Sequence, residues 1–361
     1  MTRILILKTG ALGDVLRTTS ILPGLARRYP RARITWVTAS DARELVARHP
    51  LVDEVRIVRL DDQAGIAELG DDLAASRWAR VLSFDDELPM CRLAARVDGG
   101  GVSGAFLDDQ GRRTYTDDVE DWFGMGLLAR DGRAAADRRK RENRRSHAEL
   151  FASMLGIEQG EPELPLDAER IAAAAELLGA EARRQRGPLI GLNTGAGGRW
   201  PTKAVPVERV VELTARLHDA HAGAVSFALF GGPDEVNRNE EILLGVEALP
   251  QRPDVIDTGV ENPLLDFAAQ IANCDLLVTS DSLGMHIALA RRVPVVAFFA
   301  PTSAAEIAIG DPGEKVVSTA PDYCSYRTDA DNSTITARRL ADAVLRVLQG
   351  GRGEWRAAQG G

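Results

Sequence analysis

The chain has 361 residues, 45% of them hydrophobic, enough apolar material for two cores rather than one. Its 53 acidic residues outnumber the 44 basic ones, and the resulting charge of −9 argues against general nucleic-acid binding. Cys91, Cys274 and Cys324 stand far apart with no CxxC spacing, which argues against a zinc site or a disulfide framework and fits a reducing compartment.

In chain order, the first apolar run, Ile4 to Leu7, reads as a strand over residues 3–7. It is too short for the apolar region of a signal peptide, and no stretch reaches the roughly 18 apolar residues of a membrane span. The expected location is cytoplasmic, with peripheral contact at a membrane left open. The strand runs into Thr9-Gly10-Ala11-Leu12-Gly13-Asp14 and then a helix over 14–28, with Leu16, Ile21, Leu22 and Leu25 inward. Strands at 34–37, 55–58 and 81–83 and a helix at 41–48 continue an alternation that implies a parallel sheet with crossover helices.

Residues 107–145 break that rhythm. They are polar, hold Trp122 and Phe123, and carry the basic run Arg138-Arg139-Lys140-Arg141 with Arg144 and Arg145. The segment reads as an inserted loop or helical excursion. The basic run is either a solvated face or a contact for an anionic acceptor or membrane surface, and the two aromatics either pack inward or touch sugar or lipid. A helix over 147–155, a linker at 161–165 and an alanine-rich helix over 171–184 come next.

From residue 188 the α/β rhythm restarts, with strands at 188–192, 225–230, 255–257, 276–279 and 293–299 and helices at 206–217 and 264–272. A terminal helix over 336–349 is expected to pack back on the first domain, and the tail beyond it to fray. The fold class is α/β: domains 1–165 and 185–335, each Rossmann-like, facing each other across a cleft.

Three segments carry chemistry, and each joins a strand to a helix, the junction where open α/β sheets hold ligands. In the first, Gly10 and Gly13 would permit the turn and Asp14 would either cap the helix or act as a base. In the second, Gly191-Leu192-Asn193-Thr194-Gly195-Ala196-Gly197 precedes Arg199-Trp200-Pro201-Thr202-Lys203. Its glycines would admit an anion to backbone N–H groups, and Lys203 adds a positive charge. In the third, Asp281-Ser282-Leu283-Gly284-Met285-His286 opens a helix. The Gly10–Gly13 turn is not GxGxxG and no GxxxxGK[ST] occurs, so a dinucleotide or P-loop reading is weak. Asp329-Ala330-Asp331 is a DxD string, but it lies beyond the last expected strand, so no metal site is assigned. His49, His147, His218 and His221 read as surface residues.

Together these strings resemble bacterial glycosyltransferase family 9, the ADP-heptose transferases typified by lipopolysaccharide heptosyltransferases. The match includes residues 4–23, 191–217, 229–233 and 264–302 and closes on Phe298-Phe299-Ala300-Pro301-Thr302-Ser303. The resemblance implies a GT-B fold whose second domain holds most of the sugar nucleotide. It implies that Asp14 is the catalytic base, with Gly10, Ala11, Gly13 and Arg17 on the acceptor side. It implies donor contacts from Thr194, Gly195, Ala196, Lys203, Glu235, Asp281, Ser282, Leu283, Gly284, Met285 and His286. The chain departs from the family pattern in Ser282-Leu283-Gly284, where the glycine has moved one place, and in Lys203-Ala204-Val205-Pro206. The implied activity is inverting transfer of a heptose or similar sugar from a nucleoside diphosphate, with no metal and no cofactor beyond that co-substrate. The acceptor would be a hydroxyl of a lipopolysaccharide core or another glycan, lipid-linked or small molecule. A sugar-nucleotide epimerase of the same architecture and a non-catalytic nucleotide-sugar-binding protein are the alternatives.

Overall fold

The computed structural model describes residues 2–97, 101–198 and 200–350. Arg199 of the second glycine segment and the tail 351–361 lie outside the described residues. The chain divides into two compact units between Pro165 and Leu166.

The first unit is built on six strands: β1 (Arg3–Leu7), β2 (Arg33–Thr38), β3 (Glu54–Ile57), β4 (Arg80–Ser83), β5 (Val102–Leu107) and β6 (Arg113–Tyr115). Their order is β3-β2-β1-β4-β5-β6, parallel except for the antiparallel pair β5–β6. Ile4, Leu5, Ile6 and Leu7 are all fully buried, as expected of a central strand covered on both faces. Tight packing of β5 on β4 rests on Gly104: its φ is +130°, and a Cβ there would lie 1.8 Å from the Ser83 carbonyl oxygen. The helix expected over 14–28 is divided into Leu12–Thr18, a 3₁₀ turn Thr19–Ile21 and Leu22–Arg28. Pro23 enters at the start of the last piece, where a missing N–H costs least.

The segment expected as an insert begins instead by completing the sheet with the β5–β6 hairpin. Short helices Glu120–Phe123 and Arg133–Glu142 come after it. Phe123 is buried and stacks on Tyr115 at 5.5 Å. Trp122 meets Phe151 edge-on at 5.4 Å. Arg139 pairs with Glu120 and Asp131, and Arg145 with Asp121, so part of the basic run is internally neutralised.

The second unit carries β7 (Leu189–Asn193), β8 (Ser226–Leu229), β9 (Asp254–Asp257), β10 (Leu276–Ser280), β11 (Val295–Phe299) and β12 (Glu314–Val317). They form a parallel sheet in the order β12-β11-β10-β7-β8-β9. Helices Ala168–Leu177 and Ala180–Arg186, separated by Gly179 at φ 53°, replace the single helix expected over 171–184. They belong to this unit, tied to it by Arg170–Asp266 and by Arg183–Asp254 at 3.1 Å. The terminal helix Ala337–Gly350 also corrects the expectation. Its stripe Leu340, Ala341, Val344 and Val347 enters the core made by Leu276, Val278, Val296, Phe298 and Val316 of its own unit's sheet. An apolar stripe at helical spacing finds that sheet face immediately available.

Both sheets reverse their strand order beside the central strand, between β1 and β4 in one unit and between β7 and β10 in the other. Such switch points leave a crevice outside the carboxyl ends of the strands. All three chemistry-bearing segments follow switch-point strands.

Candidate active site

In the first unit, β1 delivers Lys8 and Thr9 into the interior. The Trp36 indole N–H donates to the Lys8 carbonyl at 3.1 Å and fixes the strand end. Asp85, buried at the end of β4, holds both residues: the Lys8 ammonium donates to one carboxylate oxygen, and the Thr9 N–H and hydroxyl donate to the other, the hydroxyl at 2.7 Å. Lys8 also donates to the Gly10 carbonyl. Burial alone would depress the Lys8 ammonium, but the charges of Asp85 and Asp14 hold it above its ordinary range.

The N-cap of the helix Leu12–Thr18 is Ala11, with no side-chain cap. Asp14 is therefore not the cap; it sits in the first turn, where the helix dipole favours a negative charge. Its Oδ1 pairs with Arg17 at 2.9 Å, and its side chain is 39% exposed. Arg17 in turn lies over the Trp122 ring at 5.1 Å. Gly13 is inside the helix rather than in the turn, and a Cβ at Gly10 would meet open space.

In the second unit, β7 ends at Asn193, whose buried amide donates to Thr279 Oγ1 at 3.0 Å and Ser282 Oγ at 2.9 Å. Thr194 and Gly195 are buried and Ala196 half-buried. Ser280 Oγ donates to the Gly195 carbonyl at 2.7 Å. Glu235 takes a defined place here: its carboxylate accepts from the N–H groups of Gly197 and Gly232, both at 2.7 Å. Gly195 is needed because a Cβ would lie 2.6 Å from Glu235 Cγ. The Gly198 N–H donates to Asp234 at 2.9 Å. The Gly197 amide, one of those expected to face an anion, is thus already occupied by a carboxylate.

Lys203 stands in the 3₁₀ turn Pro201–Lys203, and Asn332 holds that turn by donating to the carbonyls of Thr202 and Ala204, at 3.2 and 2.7 Å. The Lys203 ammonium donates to Asp281 Oδ2 and to the Asp281 carbonyl, both at 2.9 Å. An ammonium has three protons, so one remains for a ligand. Burial works to raise the Asp281 carboxyl, but Lys203 and the charge of His286 outweigh it and bring it down to about 2. Ser282 occupies the N-cap position of the helix Leu283–Ala290 without a side-chain capping bond. Gly284 is demanded by packing, since a Cβ would lie 2.5 Å from Asn193 Nδ2. Leu283 is half-buried at the helix start and His286 is buried one turn later. The Met285 side chain belongs to a hydrophobic cluster with Ala297, Phe299, Ala304 and Ile307, so any contact it makes with a donor comes from its backbone.

The DxD string is engaged locally: Asp329 pairs with Arg327 at 2.7 Å, and Asp331 accepts from the Ser333 N–H at 2.7 Å. Two of the histidines read as surface residues are buried. His49 is packed inside, and His147 stacks on Phe151 at 3.9 Å.

Residues 121–334 match the model of glycosyltransferase family 9 (heptosyltransferase). The chain belongs to glycosyltransferase family 9. Lipopolysaccharide heptosyltransferase 2 of Salmonella typhimurium is 27% identical to it over 322 residues, 83% of each chain. Among solved structures, a family 9 glycosyl transferase from Veillonella parvula superposes with TM-score 0.74 at 21% identity, covering 96% of this chain and 98% of its own. The E. coli ADP-heptose lps heptosyltransferase II does so with TM-score 0.65 at 22% identity, covering 97% and 99%. Both likenesses concern the fold, which is GT-B. The protein is a glycosyltransferase, and the family match includes most of the segment taken from sequence as an insert.

The second unit of this glycosyltransferase brings Thr194, Gly195, Glu235, Lys203, Asp281, Ser282 and Gly284 into one network of contacts. Asp85, Asn193, Asn332 and Arg238 escaped the sequence reading. Asp85 was within reach of it, because it follows the strand next to β1 at the switch point. Asn332 and Arg238 act over long sequence separations that leave no local signal.

Proposed function

We propose that the enzyme transfers a heptose, or a closely similar sugar, from ADP-heptose to a hydroxyl of a lipopolysaccharide core or related glycan, with inversion at the anomeric carbon. The observation that carries this reading is the Lys203–Asp281 ion pair beside the start of the helix Leu283–Ala290. A departing nucleoside diphosphate gains negative charge. The third Lys203 proton and the helix N-terminal amides offer the stabilisation it needs without calling on a metal. Asp14, partly exposed at the carboxyl end of β1, would take the acceptor proton as the oxygen attacks. One displacement with one base inverts the configuration.

The names of the Salmonella and E. coli relatives support the heptose donor and the lipopolysaccharide acceptor. Among the described residues no helix is long and apolar enough to cross a membrane. We place the enzyme in the cytoplasm, with exposed Arg138, Arg141 and Arg144 available for contact with a lipid-linked acceptor at the membrane face. Incubation of the purified enzyme with ADP-heptose and heptose-free lipopolysaccharide core tests this. ADP release coupled to a mass gain of one heptose on the acceptor is expected. ADP-heptose left intact beside every glycan acceptor, or converted to an epimer, would defeat the reading.

A further inference from the structure

The loop after β7 is poor in donors for an anion. Its Gly197 and Gly198 amides are spent on Glu235 and Asp234. Lys203 is balanced by Asp281. Taken alone, these four side chains give the site a net negative charge, an adverse field for a diphosphate.

Arg238 is a further cation that offsets part of this. It stands in the first turn of the helix Val236–Glu247. Its Nη2 donates to Thr194 Oγ1 at 3.1 Å and to the Thr194 carbonyl at 3.3 Å. Its Nε–H is buried without a hydrogen-bond partner among the described residues. Glu235, Glu241 and Glu208 attract it, yet burial prevails and lowers its pKa. A cation in the first turn of a helix also opposes the macrodipole. As a purely structural element Arg238 is therefore poorly placed. Because the Thr194 oxygen accepts from Arg238, the Thr194 proton is left to be donated in another direction.

We infer that Arg238 is a positioning residue for the donor diphosphate: it orients the Thr194 hydroxyl toward the phosphates and supplies a positive charge that partly offsets Asp234 and Glu235. The inference rests on the nucleotide-sugar reading and adds to it a positioning residue for the diphosphate.

Calorimetric titration of the full chain with ADP and with adenosine tests it, using Arg238→Met, Arg238→Lys and Thr194→Val. Arg238→Met should weaken ADP by roughly tenfold to a hundredfold, the worth of a charge-assisted contact. It should leave adenosine affinity unchanged and should not lower the melting temperature of the unliganded protein. Arg238→Lys should fall between. Thr194→Val should also weaken ADP, and its combination with Arg238→Met should lose less than the two singly, because both act through one bond. If Arg238→Met does not fold, Arg238→Lys and Thr194→Val carry the same comparison. Unchanged ADP affinity in the variants, or equal losses for ADP and adenosine, would overturn the inference while leaving the donor reading intact. A wild-type protein that binds no ADP would overturn both.

Discussion

Lys203 meets any ligand with its charge already matched by Asp281, so each of the two residues depends on the other. Replacing Lys203 with alanine removes the ammonium proton left for the ligand and leaves Asp281 largely buried without its partner. We expect Lys203→Ala to weaken ADP binding by roughly 10- to 150-fold, the range of a charge-assisted hydrogen bond, measured by calorimetry. The pair also predicts a pH dependence. Asp281 titrates at about 2 in the folded chain against an ordinary 3.8. Its contribution to stability is thus fully present above about pH 4 and is lost as the pH falls toward 2. The expected size is on the order of 2 kcal/mol. In urea titrations, the stability gap between wild type and Asp281→Asn should narrow as the pH is lowered from 4 to 2. A gap that is constant across that window would mean that the ion pair does not stabilise the fold.

At the scale of elements, the loop before the helix Leu283–Ala290 is held by Asn193 at the end of β7, and Gly284 is the position that lets the two approach. Gly284→Ala should push the Asn193 amide off Thr279 and Ser282, at a cost of about 1–3 kcal/mol for overpacking and broken buried hydrogen bonds. A lowered melting temperature together with weakened ADP binding is expected, and a silent variant would show that the loop does not need this contact. The same pair explains what the sequence made legible. The strand-turn-helix junctions announce themselves through apolar runs such as Leu276 to Thr279 followed by small and polar residues, because a buried parallel strand needs continuous apolar side chains. The displaced glycine looked like divergence in a motif, since its reason is an asparagine 91 positions away. β5 and β6 were missed for a similar cause. Gly104 weakens the strand pattern of 102–107 locally, and only the approach of Ser83 explains it. Burial of His49 and His147 follows from tertiary packing, to which a lone histidine in the sequence gives no clue.

At the scale of the molecule, the chain has two units with separate sheets and cores, and the proposed tasks fall one in each. The candidate base lies in the first, and the candidate donor groups lie in the second. This division makes Asp14→Asn the most discriminating substitution. The helix cap belongs to Ala11, so asparagine removes no cap. It does remove the Asp14–Arg17 ion pair, but a carboxylate 39% exposed, three residues from its partner on one helix, contributes only a few tenths of a kcal/mol. The melting temperature should stay within about two degrees. ADP affinity should be unchanged, because every candidate donor contact belongs to the other unit. Turnover should fall by roughly 10²–10⁴-fold, the usual contribution of a general base. The loss should lie in kcat more than in the KM for the donor, since the carboxylate acts on the acceptor proton as the bond forms. Turnover within a few-fold of wild type would remove Asp14 from catalysis. A parallel loss of ADP binding would instead mean that the division of labour between the units is not as drawn.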